Sequence, residues 1–248
     1  MNRQDKKNAL GKEFTQQFKQ QIDQLSERGD EVRVLILRSL VPNIFCAGAD
    51  LKERLSMTED QVPQMSHFYR TLFSQLHDLP FPTIAAIDGH ALGGGLEMAL
   101  ACDLRVAAAS VKIGLVETSL AIMPGAGGTQ RLPRVIGVAK AKELIFTAKV
   151  LNGQQACEIG LVNEAVEQSH QGDAAFRRSL EIAKVIARNG PIGVRAAKEA
   201  INRGSEEPDL ERALQIEGEC YQKVVPTNDR IEGLKAFAER RVPQYRGE

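Results

Sequence analysis

The chain has 248 residues, of which 43% are hydrophobic, and its 32 basic and 32 acidic side chains leave no net charge. Such a chain is long enough to bury a substantial core, and zero net charge excludes a global field that attracts nucleic acid or an anionic membrane. The longest apolar runs, such as Thr83–Ile87, are far shorter than the roughly 20 residues of a membrane helix, so we expect no membrane partner.

The first half of the chain alternates helical and strand patterns. Phe14, Phe18 and Ile22 share one apolar face and predict a helix that ends near Gly29. Beyond residue 30, continuous apolar, β-rich runs predict strands covered on both faces, at residues 32–38, 83–87 and 104–109. Residues 39–51 are predicted to be a loop and residues 58–76 a helix. The alternation favours βαβ crossovers and a largely parallel sheet, hence an α/β fold.

The second half of the chain is predominantly helical in pattern. One short strand is predicted at residues 161–166. The predicted helices are at residues 139–147, 172–188, 191–203, 209–223 and 227–239. We therefore expect a helical layer after the alternating part of the chain.

Single residue types restrict the chemistry. The four cysteines have no CxxC spacing and lie in apolar or helical segments, which indicates buried, reduced thiols and, without a signal peptide, an interior compartment. The four histidines have no metal-type spacing. Lys6, Lys7, Lys12 and Lys19 give the N-terminal helix a mildly cationic side, for which a solvated surface is the default interpretation.

The glycine-rich stretch ALGGGLE, residues 91–97, precedes a predicted short helix. A phosphate-binding loop needs a lysine after its last glycine, but Leu96 follows Gly95. The spacing also fails the dinucleotide fingerprint, because Met98 stands where its last glycine belongs. Two interpretations stay open: a tight strand-to-helix turn, or exposed backbone N–H groups that stabilise a carbonyl oxygen gaining charge.

Two glutamates lie beside glycine-rich stretches. Glu97 follows the three glycines, and Glu117 precedes the cluster of Gly125, Gly127 and Gly128. Such a pair can share one water molecule, with one carboxylate accepting its proton and the other carboxyl donating a proton to carbon. The alternative for each is a solvated surface carboxylate, which the apolar neighbours in LEMALAC and GLVETSLAI disfavour.

Three stretches together resemble the crotonase, or enoyl-CoA hydratase, family: FCAGADLKE, AAIDGHALGGGLEMALACDLRVAA and GLVETSLAIMPGAGGTQRLPRVIG. The resemblance implies an α/β crotonase-like spiral of ββα units over residues 1–190 and a C-terminal helical trimerisation region over residues 191–248. It also implies that the first strands of the family are missing before Met1. Within the family, the sequence is most similar to the branch of the methylglutaconyl-CoA hydratases (AU-RNA-binding homologues) and the mitochondrial enoyl-CoA hydratase domain-containing proteins.

The resemblance implies addition of water across the 2,3-double bond of an enoyl-CoA thioester. It assigns catalysis to Glu97 and Glu117, and an oxyanion hole to the backbone N–H groups of Ala47 and Gly94. Contacts with substrate or coenzyme A are assigned to Ala47, Gly48, Ala49, Asp50, Gly125, Phe237 and Arg240. No metal and no cofactor are implied, because coenzyme A is part of the substrate. The implied assembly is a homotrimer or homohexamer in the mitochondrial matrix, with the cytoplasm as the second choice.

Two alternatives to a hydratase follow from the same resemblance. The first is an RNA-binding protein of the AU-binding type. That relative is associated with a row of lysines on its first helix, where this sequence has Lys12, Gln16 and Gln20, so the sequence does not favour RNA binding. The second is a truncated, catalytically weak family member that assembles with longer relatives.

Overall fold

The computed structural model describes residues 1–248, which divide into two compact units. The first unit comprises residues 1–24, 36–78 and 83–180, and the second comprises residues 25–35, 79–82 and 181–248. The second unit therefore begins ten residues before the predicted C-terminal region and also includes two short segments from earlier in the chain. None of the helices is both long and apolar enough to cross a membrane.

The helices and strands follow one another in a regular order along the first half of the chain. They are α1 (Lys12–Glu27), β1 (Leu35–Arg38), β2 (Ile44–Cys46), α2 (Leu51–Leu55), α3 (Gln61–His77), β3 (Thr83–Ile87), β4 (His90–Leu92), α4 (Gly94–Leu100), β5 (Leu104–Ala108) and β6 (Lys112–Gly114). Short 3-10 turns are present at Gln4–Lys6 and Glu117–Leu120.

The second half is mainly helical, as the sequence predicts. Its elements are α5 (Gly128–Ile136), α6 (Val138–Phe146), β7 (Leu151–Asn152), α7 (Gly153–Glu158), β8 (Glu164–Val166), α8 (Ala174–Ala187), α9 (Pro191–Glu206), α10 (Leu210–Gln222) and α11 (Asn228–Glu239).

The strands form two four-stranded sheets that take alternate strands of the chain. One sheet has the order β1-β3-β5-β8 and the other has the order β2-β4-β6-β7. The β3–β5, β5–β8, β2–β4 and β4–β6 pairs are parallel, whereas β6 and β7 are antiparallel. Each strand of the first sheet up to β5 is followed by one of the second, so the chain winds in ββα turns. The predicted α/β crotonase-like spiral is confirmed.

The differences from the sequence prediction concern short elements. The segment predicted as one loop contains β2 and ends at the first residue of α2, and the strands β4 and β6 were not predicted. Each of these strands has three residues, too few for an alternating pattern to be visible. The helices α5 and α7 were also missed. The helix α5 begins in a glycine cluster and contains Pro133, both of which are unfavourable signals for a helix.

The helix α4 carries the candidate catalytic Glu97 and is buried along its whole length. Gly95 allows this burial, because a Cβ atom there would lie 2.3 Å from the carbonyl oxygen of Cys46, at the end of β2. Real Cβ atoms do not approach a backbone oxygen so closely, so the backbone of α4 packs directly on β2. This contact fixes the position of α4 relative to the loop after β2.

We expect Gly95→Ala to lower the free energy of unfolding by about 1–3 kcal/mol or more, because the methyl group must push α4 away from β2. A matched control is Gly218→Ala in α10, where no atom lies within 4 Å of the added Cβ. That control should gain roughly 0.5–1 kcal/mol, because alanine suits a helix interior better than glycine. Urea unfolding of both variants measures the difference, and equal stabilities would contradict the packing argument.

Candidate active site

One cavity of about 130 Å³ in the first unit brings most of the predicted site residues together. Its walls include the following predicted residues: Ala47, Gly48, Ala49, Asp50, Gly94, Glu97, Glu117 and Gly125. Phe237 and Arg240 are not among its lining residues; they belong to the C-terminal end of α11 in the second unit, where Phe237 is 87% exposed. Their assignment to coenzyme A therefore stays a prediction.

Glu97 is buried on α4, and its carboxylate is held by backbone donors. Its Oε1 accepts hydrogen bonds from the N–H groups of Ala126 and Gly128, at 2.7 and 2.8 Å. Burial raises the pKa of Glu97, and the two amide donors oppose that rise by stabilising the ionised form. Two bonds to one oxygen fix the carboxylate and leave Oε2 for another partner.

Glu117 lies in the 3-10 turn and is also buried, with 9% of its surface exposed. Its Oε2 is buried without a hydrogen-bond partner. Burial raises the pKa of Glu117 to about 7, and the nearby charge of Glu97 adds to the rise. Two neighbouring carboxyl groups in different environments favour different protonation states, which suits one acid and one base.

The backbone amides of the loop after β2 differ from the prediction. The Ala47 N–H donates to the carbonyl oxygen of Lys7 at 3.2 Å and is therefore already engaged. By contrast, the N–H groups of Ala49 and Gly94 have no hydrogen-bond acceptor. The expectation for Ala47 as an oxyanion donor is thus corrected, because its amide is committed to the Lys7 segment.

Distances measured from Cβ atoms built on the glycines show that the free amides and the two carboxyl groups lie close together. A Cβ atom built on Gly94 would lie 3.8 Å from Ala49 N and 3.8 Å from Glu97 Oε2. A Cβ atom on Gly93 would lie 3.1 Å from Glu117 Oε1, and Gly93 itself has a φ of +52°, which favours glycine. The Ala49 amide and both carboxyl groups therefore lie close to the Gly93–Gly94 backbone, which supplies the second free amide. A side chain at either glycine would fill the space between these groups.

The loop that holds Glu97 is itself fixed by polar side chains that the sequence analysis missed. Ser66 Oγ and Arg70 Nη1, both on α3, donate to the carbonyl oxygen of Gly125 at 2.7 and 3.1 Å. Arg131 Nη1 donates to the carbonyl oxygen of Ala126 at 3.2 Å. No sequence signal identifies these contacts, because α3 and the loop are about 60 residues apart. They keep the Ala126 and Gly128 amides directed at Glu97.

The remaining cavity wall is mostly apolar, and α3 contributes much of it. Met57, Val62, Met65 and Tyr69 line it. The features together are two unengaged amides, two buried carboxyl groups and an apolar wall. They define an enzyme site for proton transfer next to a polarised carbonyl group.

Comparison with known proteins agrees with this class. The enoyl-CoA hydratase/isomerase family matches residues 1–248. The chain is 53% identical over 248 residues to human mitochondrial methylglutaconyl-CoA hydratase, covering 100% of this chain and 73% of that protein. It is 53% identical over 247 residues to mouse mitochondrial enoyl-CoA hydratase domain-containing protein 2, covering 100% of this chain and 83% of that protein.

A solved structure supports the same assignment. The crystal structure of enoyl-CoA hydratase from Bacillus anthracis superposes with a TM-score of 0.94 at 48% identity, covering 99% of this chain and 93% of the other. The chain belongs to the enoyl-CoA hydratase/isomerase family. The prediction of an enoyl-CoA hydratase of the crotonase type is thereby confirmed.

Proposed function

We propose that the chain hydrates enoyl-CoA thioesters at this cavity, with the Ala49 and Gly94 amides as the oxyanion hole. The thioester oxygen accepts hydrogen bonds from both N–H groups, which withdraw electrons and make C3 electrophilic. Ala49 replaces Ala47 in this proposal because its N–H has no other acceptor.

The two glutamates then divide the proton transfers. Glu97, whose ionised form is stabilised by two amides, accepts a proton from water through Oε2 while the hydroxide oxygen bonds to C3. Glu117, with its raised pKa, donates its proton to C2. Water thus supplies the hydroxyl group, Glu117 supplies the hydrogen on C2, and transfer of the proton from Glu97 to Glu117 restores the starting state. The product is a 3-hydroxyacyl-CoA.

The observation that carries the proposal is a difference in hydrogen bonding between the two carboxyl groups. Glu97 Oε1 receives two backbone donors, whereas the buried Glu117 Oε2 has none. An unsatisfied buried carboxyl oxygen is costly, and a shared water or substrate atom satisfies it. The test is loss of the conjugated enoyl-thioester absorbance when the protein is mixed with crotonyl-CoA; absence of turnover by folded protein would refute the function.

The wider setting of the reaction belongs to the same proposal. The substrate is an acyl-CoA thioester, and the chemistry requires only that thioester and water. The mitochondrial relatives support a location in the mitochondrial matrix, while similar enoyl-CoA hydratases also occur in bacteria. We keep the homotrimer or homohexamer as a prediction, which size-exclusion chromatography with light scattering measures directly.

We expect hydration to decline as the pH rises through about 7, the pKa of Glu117. The reason is that hydration needs the protonated acid, and this form disappears above its pKa. The measurement is kcat/KM for crotonyl-CoA between roughly pH 6 and 9, and the alkaline decline should be absent from the residual activity of Glu117→Gln. A profile of the unmodified protein that is flat across this range would contradict the acid role of Glu117.

A further inference from the structure

A buried asparagine lies next to the loop after β2, outside the cavity lining, and takes no part in the proposed hydration steps. Asn8 has no exposed surface, and its φ is +54°. Apart from glycine, asparagine is one of the few residues that adopt this left-handed angle routinely. Burying a polar side chain is costly unless its donors and acceptors are paired, so the partners of Asn8 indicate what it holds in place.

Both polar atoms of the Asn8 side chain are paired. The Oδ1 atom accepts the Arg3 N–H at 2.8 Å, and Nδ2 donates to Ser39 Oγ at 2.8 Å and to the Phe45 carbonyl oxygen, in β2, at 3.0 Å. The Cys46 thiol, also in β2, donates to the Asn8 carbonyl oxygen at 3.2 Å. Asn8 therefore anchors the N-terminal segment on β2 through its side chain and its main chain.

The anchored segment, residues 7–10, holds the loop that carries one oxyanion donor. It makes three main-chain hydrogen bonds, of 2.8 to 3.3 Å, with Ala47, Gly48 and Asp50. These bonds engage the loop on both sides of Ala49 and leave only the Ala49 N–H without an acceptor. The direction of that N–H group therefore depends on where the anchored segment lies.

The anchored segment also contacts the second oxyanion donor. The Leu10 side chain lines the cavity, and its Cδ1 lies 2.7 Å from a Cβ atom built on Gly94. A shift of the segment therefore changes the surroundings of both free amides at once. An oxyanion donor is effective only within about 2.7–3.1 Å of the oxygen, so a small shift is sufficient to weaken it.

Building on the proposed hydratase function, we propose that Asn8 is a positioning residue for the oxyanion hole. Its side chain fixes residues 7–10 on β2, and these residues direct the Ala49 N–H at the thioester oxygen. Aspartate cannot replace it, because an ionised carboxylate has no donor for Ser39 or Phe45. Alanine lacks the side-chain amide and disfavours the left-handed angle.

The first test is Asn8→Asp, which keeps the size of the side chain but replaces its two N–H donors by an acceptor oxygen. We expect kcat for crotonyl-CoA to fall by about 10–100-fold while KM changes by less than about threefold, because a misplaced donor weakens transition-state binding most. The matched control is Asn43→Asp, at an exposed asparagine with a φ of +59° outside the cavity lining, which should leave both constants unchanged.

A spectroscopic measurement separates positioning from a purely structural role. The absorbance of 4-(dimethylamino)cinnamoyl-CoA moves to longer wavelength when hydrogen bonds draw electrons toward its thioester oxygen. We expect folded Asn8→Asp to bind this thioester with most of the shift lost, and Asn43→Asp to keep the shift. An unchanged shift in Asn8→Asp would mean that Asn8 serves folding alone, and the inference would be overturned.

A double variant shows whether Asn8 acts through the Ala49 amide. Replacing that amide by a backbone ester removes the donor, so Asn8→Asp should then lower kcat by less than about threefold further. Two losses that multiply would show that Asn8 acts elsewhere, against the inference.

The remaining outcomes separate the inference from the proposed function. If folded Asn8→Asp hydrates crotonyl-CoA at the unmodified rate, the inference is refuted and the hydratase stands. If the unmodified protein shifts the chromophore but hydrates no crotonyl-CoA, the hydratase fails, and loss of the shift in Asn8→Asp still supports the positioning role. If Asn8→Asp does not fold, Asn8→Gly, which accepts the left-handed angle, and Ser39→Ala, which removes one acceptor, replace it. Unchanged kcat and shift in these two variants would refute the inference. Thermal melting confirms that each variant is folded.

Discussion

Replacing Glu97 or Glu117 by glutamine is expected to lower kcat for hydration by about 10²–10⁴-fold, since each change removes one general acid or base. Glutamine keeps the shape of the side chain, and its carbonyl oxygen at position 97 still accepts the Ala126 and Gly128 amides. The loss should therefore be one of chemistry and not of folding. Turnover of crotonyl-CoA measures kcat, and binding of a 3-hydroxyacyl-CoA product measures whether the cavity is intact.

The double variant distinguishes a coupled pair from two independent groups. If both carboxyl groups act on one water molecule, removing the second costs little after the first has gone, so the two losses should not multiply. Glu143→Gln provides the control, because this glutamate forms exposed ion pairs with Lys140 and Lys149 and should retain full activity. Near-normal turnover in Glu97→Gln and Glu117→Gln together would refute their catalytic roles.

The stability of Glu117→Gln adds an independent check. Burial and the charge of Glu97 both disfavour the ionised form of Glu117. Replacing it by a neutral amide removes that repulsion, so the free energy of unfolding should not fall. A catalytic group kept at the expense of stability is typical of active sites. Similar stability with much lower activity would separate function from folding in this variant.

Long apolar segments and residue types in motifs were predictable from the sequence. The strand at Thr83–Ile87 was predicted at its observed bounds, since all five residues are buried and the run has no competing interpretation. The two glutamates were predictable because carboxylates are rare in such apolar surroundings. Three-residue strands such as Ile44–Cys46 were not, because they are held by their neighbours in the sheet.

The sequence alone could not decide whether the Ala47 or the Ala49 N–H group is free to act as an oxyanion donor. The direction of an amide depends on the backbone angles and on the segment that pairs with it. Here the N–H groups of Ala47 and Asp50 both donate to the segment of residues 7–10. Their spacing of three breaks the regular alternation of a strand, because Gly48 between them has a φ of +91°. Only the folded chain shows that Ala49 is left free.

Arg54, which lines the cavity, was not identified in the sequence for a different reason. In the sequence it belongs to the charged run LKER, for which a solvated helix face is the default interpretation. The helix α2 has only five residues, and its direction is set by the Asp50 cap and by the bond between Glu53 and Lys12. The bond between Glu53 and Lys12 joins residues 41 apart in sequence, so the partial burial of Glu53 and Arg54 was not predictable.

A backbone ester at residue 49, made by incorporating lactic acid in place of Ala49, removes the proposed oxyanion donor without changing a side chain. We expect kcat for crotonyl-CoA to fall by about 10²–10³-fold, the usual cost of losing one donor to a developing oxyanion. The ester also weakens the Gly48 carbonyl oxygen as acceptor of the Leu10 N–H, so unfolding is measured alongside turnover.

The same replacement at residue 47 is the matched control and decides between the two alanines. It removes the hydrogen bond to the Lys7 carbonyl oxygen, which should lower the free energy of unfolding by about 0.5–1.5 kcal/mol. Because that N–H faces the Lys7 segment, kcat should change by less than about threefold, far below the loss for a missing oxyanion donor. A large catalytic loss at residue 47 with little loss at residue 49 would mean that the amide bound to Lys7 turns toward the thioester during the reaction, and the assignment of Ala49 would be wrong.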